Sequence, residues 1–425
     1  GNVATEVNKL DLAIRGNLTV DARGEIDVTG LGYAGNNGPG APLPNPPSAN
    51  LYRCGGSHGG MGCRGADAAN GGIPGPTYGS LVAPTNLGSG GGQYMGVFCG
   101  GGGAMRLAVT GSTTLDGVIV ADGTNDLTVA NSGGGGGSVW LTTGSLSGNG
   151  RIQADGGVGW ADGPGGGGGR IAVYLTGSSN FGSVVMEACG GLYTNGSVSY
   201  SGAAGTIYRQ RPGDAAGHGE VIVNNLDRLP ARGETTDLNG LSPASYAFGA
   251  LTLTNAGVLR VGPDDSLTLT GAGMRVEAGD SREGFRVAGG ALRVDPAFAI
   301  ANFFVAIDAA GSSFSPASSL TVGGGGEFIV NRAHSMTCDV TVAAGGVVRH
   351  DDNTTNEANK LTLAIAGSLT VQAGGQISAN GRGYAGNYGP GAPIPNPNRY
   401  RCGGSHGGMG SAGWETTSGI PGPTY

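Results

Sequence analysis

The sequence has 425 residues, of which 91 are glycine, while 12% are charged and 6% are aromatic. Glycine does not recur at every third position, which excludes collagen, and its abundance disfavours helices, because each glycine costs about 1 kcal/mol relative to alanine there. The net charge of −7 without a basic run argues against a nucleic-acid partner, and no apolar run reaches the roughly 20 residues that span a bilayer. This composition predicts an all-β chain.

The first predicted elements are strands between positions 10 and 27. Residues 8–46 align without a gap with residues 359–397, and 27 of these 39 positions are identical. Every even position from 10 to 26 is unchanged, whereas the differences fall at odd positions, which is the period of a β-strand. We expect Leu10, Leu12, Ile14, Leu18, Val20 and Ile26 to face a core, and Asp11, Arg15, Asn17 and Asp21 to face water.

A Pro- and Gly-rich loop at 32–78 follows these strands. Its motif Tyr-Arg-Cys-Gly-Gly-Ser-His-Gly-Gly-Met-Gly at 52–62 returns unchanged at 400–410, so the chain contains a large duplication with a repeat of 351 residues. We expect the loop to be ordered and to make lateral contacts with a partner. The residues expected in this interaction loop are Tyr52, Arg53, His58 and Met61, with Tyr400 and His406 in the second copy.

The cysteines of the loop suggest a disulfide. An extracellular chain oxidises suitable pairs, and Cys54 recurs as Cys402 whereas Cys63 is replaced by Ser411. This difference favours a bond between Cys54 and Cys99, with buried thiols as the alternative. A metal site at Cys54, His58 and Cys63 is disfavoured, because the second copy lacks one ligand and no fourth is evident.

Glycine is unevenly distributed along the repeat. Residues 51–205 contain 46 glycines, against 21 in residues 206–366. We divide the chain into a glycine-rich half at 1–215, a leaner half at 216–351 and the start of the next repeat at 352–425. The glycine runs are either flexible linkers or backbone packed too closely for a Cβ. Well-patterned strands beside them favour ordered backbone, in tight turns or in extended polyproline-II-like segments lying side by side.

Short strands separated by turns recur about every 10 residues, which is typical of a β-sandwich or of a parallel β-helix. A sandwich needs domains of about 100 residues with larger cores. A right-handed parallel β-helix, or solenoid, needs only a narrow column of Leu, Val and Ile, and we favour it, with the glycine-rich segments as insertions. About 15 coils at about 4.8 Å spacing would make each repeat of order 70 Å long.

Other side chains raise weaker hypotheses. Acids at 264–265 and 351–352 are candidates for Ca²⁺ or are solvated turn residues. Some β-helical enzymes cleave polysaccharides with clustered carboxylates, and the nearest approach to such a cluster is Asp122, Asp126, Asp155 and Asp162. Aromatic residues that could stack on a sugar, or pack in a core, are Trp140, Trp160 and Tyr174.

Several phrases resemble the glycine-rich repeats of very large surface proteins of environmental bacteria. They are Gly-Gly-Ser-His-Gly-Gly at 55–60, Gly-Ser-Gly-Gly-Gly at 88–92 and the run that ends in Arg-Ile-Ala-Val-Tyr-Leu at 165–175. The opening of the second copy at 359–377 is similar to them as well. This resemblance implies a β-helical adhesin or envelope component at a bacterial cell surface, with no catalytic residues or cofactor to carry over.

Together, these features predict a structural tandem-repeat protein that associates with itself into an extracellular fibre, sheath or cell-surface filament. The alternative is an adhesin that binds a glycan or another surface ligand, and a more distant one is a β-helical polysaccharide lyase or hydrolase. We expect no enzymatic activity, no nucleic-acid partner and no membrane span, and Ca²⁺ is the one candidate ion.

Overall fold

A computed structural model describes residues 4–43, 54–65, 72–92, 99–125, 132–159, 163–192, 194–195, 198–199, 201–230, 233–238, 244–270, 274–276, 282–394, 402–411 and 420–425. The regular structure in these ranges consists of β-strands, which confirms the all-β prediction. A search of the same ranges for a helix of sufficient length and apolarity to cross a membrane finds none.

The strands fall in three parts of the chain. The glycine-rich half contains β1 Leu10–Ile14, β2 Leu18–Val20, β3 Glu25–Asp27, β4 Ala104–Val109, β5 Ser112–Leu115, β6 Val118–Val120, β7 Ser138–Thr143, β8 Ser145–Ser147, β9 Arg151–Gln153, β10 Arg170–Leu175, β11 Val185–Glu187, β12 Thr194–Asn195, β13 Val198–Ser199 and β14 Thr206–Gln210. The lean half contains β15 Glu220–Asn224, β16 Thr236–Asp237, β17 Ser245–Phe248, β18 Ala250–Thr254, β19 Val258–Val261, β20 Ser266–Thr270, β21 Met274–Val276, β22 Gly284–Val287, β23 Ala291–Asp295, β24 Ala297–Ile300, β25 Phe304–Ile307, β26 Ser313–Pro316, β27 Ser319–Val322, β28 Glu327–Val330, β29 His334–Met336, β30 Asp339–Val342 and β31 Val347–Arg349. The second copy contributes β32 Leu363–Ile365, β33 Leu369–Val371 and β34 Gln376–Ile377.

Most strands pair with the strand three places further along the chain, so that consecutive strands form triplets. The triplet β1–β3 pairs with β4–β6, which pairs in turn with β7–β9. Among the described strands, the pairs are parallel except β12–β13 and β14–β15. This parallel pairing contradicts the sandwich alternative, whose sheets are antiparallel.

One eight-stranded sheet, in the order β1–β4–β7–β10–β14–β15–β18–β21, joins the two halves of the repeat. Its strands reverse direction between β14 and β15, and the predicted boundary after residue 215 lies between these two strands. Two neighbouring rows of paired side chains show that the core changes face at the same place. One row is apolar as far as the first strand of the lean half and polar at the next: Leu10, Met105, Val139, Ile171, Ile207, Ile222 and Thr252.

The adjacent row shows the opposite trend: Asp11, Arg106, Trp140, Ala172, Tyr208, Val221 and Leu251. Apolar members of the first row belong to the core of the glycine-rich half. Those of the second row belong to the core of the lean half. The two cores therefore lie on opposite faces of one shared sheet.

The predicted alternation in the first triplet is largely confirmed. The expected core residue Val20 is buried, and Leu10, Ile14, Leu18 and Ile26 pack partly against the first core. Leu12 is 39% exposed, because β1 is an edge strand that pairs on one side only. The four residues expected outside, at positions 11, 15, 17 and 21, are exposed.

The glycine runs are ordered backbone, and the flexible-linker alternative is wrong. The segments 99–103, 132–137, 164–169 and 201–205 lead directly into β4, β7, β10 and β14 and are almost entirely buried. No glycine described in them adopts a left-handed φ. Glycine is required there by close approach, because a Cβ on Gly133 would lie 1.8 Å from the carbonyl oxygen of Gly157.

The run 132–137 shows how these segments pack. The N–H groups of Gly133 and Gly136 donate to residues 164–167, those of Gly134 and Gly137 donate to residues 121–124, and that of Gly135 donates to Ser89. The N–H groups therefore point to the same neighbour at every third residue, which is the period of a polyproline-II helix. Carbonyl groups of the run accept from three further segments, so six segments surround it. We call the four segments 99–103, 132–137, 164–169 and 201–205 together the glycine layer.

Candidate functional site

The duplicated loop is present twice, in two different surroundings. The first loop comprises the described residues of 32–78, and the second loop comprises those of 383–425. The first loop lies inside the glycine layer: Gly56 N–H donates to Gly133 O, and Gly60 N–H donates to Gly168 O. Residues 54–60 are all buried. The motif at 54–60 is therefore enclosed by the protein's own backbone.

His58 lies fully buried at the centre of the first loop. Its Nδ1 is 2.8 Å from Gly136 O, and its ring packs on Tyr78 with the centroids 4.8 Å apart. Since a carbonyl only accepts, Nδ1 carries the proton, and Nε2 has no hydrogen-bond partner among the described residues. Burial, and then the nearby Arg170 guanidinium, lower the pKa of His58 to about 3. The expectation that His58 contacts an outside partner is wrong, because no outside partner can reach it.

The guanidinium of Arg170 links the first loop to both halves of the repeat. Its Nε donates to Tyr78 O at 3.0 Å, Nη1 to Thr206 Oγ1 at 3.0 Å and Nη2 to Asp237 O at 3.2 Å. The Thr77 hydroxyl donates to the carboxylate of Asp237 at 2.9 Å. Burial lowers the pKa of Arg170 to about 10, so the side chain is still a cation at neutral pH. The first loop, β10, β14 and β16 therefore meet at one buried cation.

The second loop keeps the internal contacts of the first. Several backbone hydrogen bonds recur at equivalent positions, among them Ser57 to Gly40 and Ser405 to Gly391, His58 to Gly60 and His406 to Gly408, and Tyr78 to His58 and Tyr425 to His406. The antiparallel bridge Leu43–Ile73 recurs as Ile394–Ile420. The rings of His406 and Tyr425 lie 4.7 Å apart, as in the first loop. The conformation is therefore set within the loop itself.

The two loops differ in what covers them. Tyr78 is 3% exposed, whereas its equivalent Tyr425 is 49% exposed. Met61 is partly buried, His406 is exposed, and Met409, the equivalent of Met61, is 72% exposed. The described residues supply no glycine layer to the second loop. The predicted contact residues Tyr52, Arg53 and Tyr400 lie outside the described residues.

The predicted disulfide partners lie beside the same glycine segment. Gly92 N–H donates to Cys54 O and Gly91 N–H donates to Cys99 O, both at 2.9 Å. Both side chains are buried, and the bond between them stays a prediction. In the part of the chain that the structure describes, no three His, Cys, Asp or Glu side chains are placed to hold a metal ion.

Two of the four acids considered for catalysis, Asp122 and Asp155, lie next to each other, while positions 126 and 162 lie outside the described residues. Asp122 Oδ1 accepts from Asp155 N–H at 2.6 Å, and Asp155 Oδ1 accepts from Cys189 N–H at 2.8 Å. Burial, and then the Asp155 carboxylate, raise the pKa of Asp122 to about 7. Each carboxyl group caps the backbone of the neighbouring triplet, which is a structural use.

The acids considered for Ca²⁺ have other partners. Asp351 Oδ1 accepts from Arg349 Nη1 and Asp352 Oδ1 accepts from Arg382 Nη1, both at 2.7 Å. Asp265 Oδ1 accepts from a backbone N–H at 3.1 Å. These contacts use carboxylate oxygens that a Ca²⁺ site would need.

The aromatic residues considered for sugar binding lie on neighbouring strands. The ring centroids of Trp140 and Tyr174 are 6.3 Å apart, and the Arg106 guanidinium lies 5.1 Å from the Trp140 ring centroid. Both rings line an open cleft of about 360 Å³ together with Gln210 and Arg211. The third candidate, at position 160, lies outside the described residues.

Comparison with known proteins finds no relative of this chain. No family model, no curated protein and no solved structure matches it. The two copies of the loop within the chain therefore serve as each other's reference.

Sequence reasoning missed Arg170 and Glu6. Arg170 begins the phrase Arg-Ile-Ala-Val-Tyr-Leu, whose lack of alternation is typical of a strand buried on both faces and signals a buried charge. Glu6 Oε1 accepts from Leu87 N–H at 2.9 Å. The signal for Glu6 is its recurrence with Lys9 as the ion pair Glu357–Lys360.

Proposed function

We propose that this chain is a structural tandem-repeat protein whose repeats stack into an extracellular fibre, sheath or filament at a bacterial cell surface. The pairing of the second copy carries the proposal: β32, β33 and β34 pair in parallel with β29, β30 and β31. The strands β32–β34 lie 351 residues after β1–β3 and repeat their pattern. The opening of one repeat thus continues the sheets of the repeat before it. The surface location rests on the sequence resemblance.

Each copy of the first triplet has one paired edge and one open edge, and the open edges of the two copies are opposite ones. Among the described strands, β1–β3 pair only with the triplet that follows, and β32–β34 pair only with the triplet that precedes. At the open edge of the second copy, Leu369 and Val371 are both 48% exposed and Ile377 is 46% exposed. Their equivalents in the first copy pack against its core. A tandem array would therefore bury apolar surface that this chain leaves in water.

A cleft at the opposite end of the molecule supports the same arrangement. It measures about 440 Å³ and is lined by Asn8 and Leu10, among others, beside the open edge of the first triplet. In the second copy the equivalent residues Asn359 and Leu361 are partly buried. Asn359 N–H donates to Asn353 Oδ1 at 2.7 Å, and Leu361 packs against the lean core. The end of a preceding repeat would fill the cleft in the same way.

We infer that the stacked triplets wind as a right-handed parallel β-helix. Connections between parallel strands of one sheet are right-handed in nearly all proteins. The reversal between β14 and β15 would not change the hand. Strand direction reverses there while the core moves to the other face of the sheet, and these two changes cancel. One hand can therefore persist through the whole array.

The strand pairing also sets the expected length of the repeat. Eleven pairing steps separate the two copies of the first triplet, five from β1 to β15 and six from β16 to β34. At about 4.8 Å per step the repeat would advance about 53 Å. The expected 15 coils are too many, because the glycine layer and the loop lie beside the triplets and add none.

Electron microscopy of a chain that carries several complete repeats tests this proposal. We expect filaments with an axial repeat near 53 Å, which lengthen with the number of repeats. Compact particles that do not lengthen in one direction would overturn the proposal. As a control, Leu369→Asp places a charge at a side chain that is 48% exposed in the chain of 425 residues. The same change should break the longer chain at its junction and leave the first repeat folded.

A second candidate function, glycan binding by an adhesin, is favoured by the cleft at Trp140 and Tyr174. Paired aromatic faces beside Gln210 and Arg211 offer the stacking and the hydrogen bonds that sugars use. Binding to a glycan array should be lost in Trp140→Ala and kept in Trp140→Phe. An array without ligands, or binding that survives Trp140→Ala, would rule out this cleft.

A further inference from the structure

Two adjoining clefts lie on the open face of the second loop. One measures about 330 Å³ and includes Gly391, Ser405 and Cys402 in its lining. The other measures about 340 Å³ and includes Glu357 and His406. Tyr384 and Tyr425 line both clefts, so the two form one continuous surface feature.

The first loop shows what occupies the equivalent place. There the segment 86–92, Asn-Leu-Gly-Ser-Gly-Gly-Gly, lies along the loop and bonds to it at nearly every residue. Leu87 N–H donates to Glu6, and its carbonyl accepts from the Tyr78 hydroxyl. Further bonds between the loop and the segment are Tyr33 N–H to Gly88 O, Gly40 N–H to Ser89 Oγ, Gly90 N–H to Asn37 O, Asn36 N–H to Gly91 O and Gly92 N–H to Cys54 O, and the hydroxyls of Tyr78 and Ser89 lie 2.8 Å apart.

The second loop has kept the groups that hold this segment. Glu6, Tyr33, Gly40, Cys54 and Tyr78 recur as Glu357, Tyr384, Gly391, Cys402 and Tyr425. Asn37 is replaced by Tyr388, but only its backbone carbonyl is used. Recurring hydrogen bonds hold Gly391 and Tyr425 as their equivalents are held in the first loop, and Glu357, Tyr384 and Cys402 line the same two clefts. The site is therefore formed in advance of its occupant.

We propose that the second loop is the docking site for another copy of the segment 86–92, supplied in the array by the remainder of the second repeat, to which the second loop itself belongs. The ligand chemistry is an extended glycine-rich peptide with one leucine and one serine hydroxyl. This inference rests on the proposed tandem array for the source of the segment, but not for the chemistry of the site. Docking would cover the part of the second loop that corresponds to the part covered by 86–92 in the first loop.

Two glycines of the segment provide a matched test of this geometry. A Cβ on Gly90 would lie 2.0 Å from Ala34 O, which belongs to the loop. A Cβ on Gly88 would lie 2.3 Å from Gly135 O, which belongs to the glycine layer. The second loop lacks that layer among the described residues. Gly90→Ala should therefore abolish docking on the second loop, whereas Gly88→Ala should leave it intact.

The experiment uses the full chain and a synthetic peptide of residues 85–92, Thr-Asn-Leu-Gly-Ser-Gly-Gly-Gly. In a parallel arm, residues 79–92 are attached after Tyr425, where they follow the second loop as they follow Tyr78 in the first. The attached segment acts at a millimolar effective concentration. We expect amide exchange at positions 384, 387 and 391 to slow at least tenfold, with one peptide bound per chain.

Residues 54–63 serve as the internal reference, since their exchange should not change. Absence of protection with the attached segment, or equal effects of Gly88→Ala and Gly90→Ala in it, would overturn the docking proposal. Docking without filaments in longer chains would sustain this site and remove the fibre proposal instead. Filaments without protection at the second loop would sustain the fibre proposal and remove the docking site.

Discussion

The two loops have the same motif and the same internal hydrogen bonds, yet one is enclosed and the other is open. In the first loop His58 is buried by the glycine layer, and in the second loop His406 is exposed. The conformation of the motif is thus encoded locally, by its own Ser, Gly, Pro and Tyr contacts. Its burial is decided by segments that lie more distant in the sequence. The local sequence therefore determines the conformation of the motif, and the surrounding segments determine whether the motif is buried.

The largest expected effect is the loss of the cation that holds the first loop in place. Arg170→Met should lower the free energy of unfolding by about 3–5 kcal/mol, because three buried acceptors lose their donor. Amide exchange at 54–63 should then approach that at 402–411. Arg106→Met, on the same face of the sheet but exposed, is the control and should change stability by less than about 1 kcal/mol. Unchanged exchange in Arg170→Met would show that the layer alone holds the loop.

The next effect compares one substitution in the two loops. A Cβ on Gly60 would lie 2.2 Å from two backbone carbonyls, whereas a Cβ on Gly408 meets nothing within 4 Å. Gly60→Ala should cost about 2–3 kcal/mol, and Gly408→Ala should stay within about 0.5 kcal/mol. Urea denaturation of both variants measures the difference. Equal costs would mean that the motif itself, and not its cover, requires glycine.

A smaller effect comes from the tyrosine that ends each loop. The Tyr78 hydroxyl donates to Leu87 O and contacts Ser89 Oγ at 2.8 Å, and it is fully enclosed. Tyr78→Phe should destabilise the chain by about 1–3 kcal/mol, because a buried acceptor loses its donor. Tyr425→Phe should have no measurable effect on thermal unfolding. A loss of stability in Tyr425→Phe would reveal cover on the second loop in solution.

The last effect is spread over several pH units, and it concerns Asp122, which lies in the segment 121–124 that bonds to Gly134 and Gly137. The pKa of Asp122 is raised from its ordinary value of 3.8 to about 7, mainly by burial. Its contribution to stability is therefore present below about pH 4 and is lost as the pH rises through 7. The slope from this group is at most about 1.4 kcal/mol per pH unit.

Asp122→Asn should flatten that slope and keep the acceptor for Asp155 N–H. Denaturation between pH 4 and pH 8 measures it. Asp116→Asn is the control, because Asp116 Oδ1 also accepts a backbone N–H, from Asn149 at 3.0 Å, but at the surface. If the two variants give the same pH profile, the carboxyl of Asp122 is not the source of the slope.

The sequence predicts the strands and the ordered glycine runs, because both leave local patterns. Alternating substitution between the two copies identifies the inward set around Leu18 and Val20. Two features have no such local pattern. The core changes face at the pair Ile207–Ile222, but apolar residues on either side of that point look alike in sequence. His58 is held by Gly136, which lies 78 residues away. No local pattern signals that contact, so the sequence led to the prediction that the Pro- and Gly-rich loop lies at the surface and contacts a partner.

The change of face also has a mechanical consequence. If only a loop connected the two stacks of strand triplets, the chain would have a hinge at that loop. Here β10, β14 and β15 form a wall with one core on each side, and Tyr208 and Val221 pack in the second core immediately beside Ile207 in the first. The two stacks of strand triplets thus overlap along these three shared strands. We expect bending stiffness to be greatest at that overlap, where a simple hinge would have been weakest.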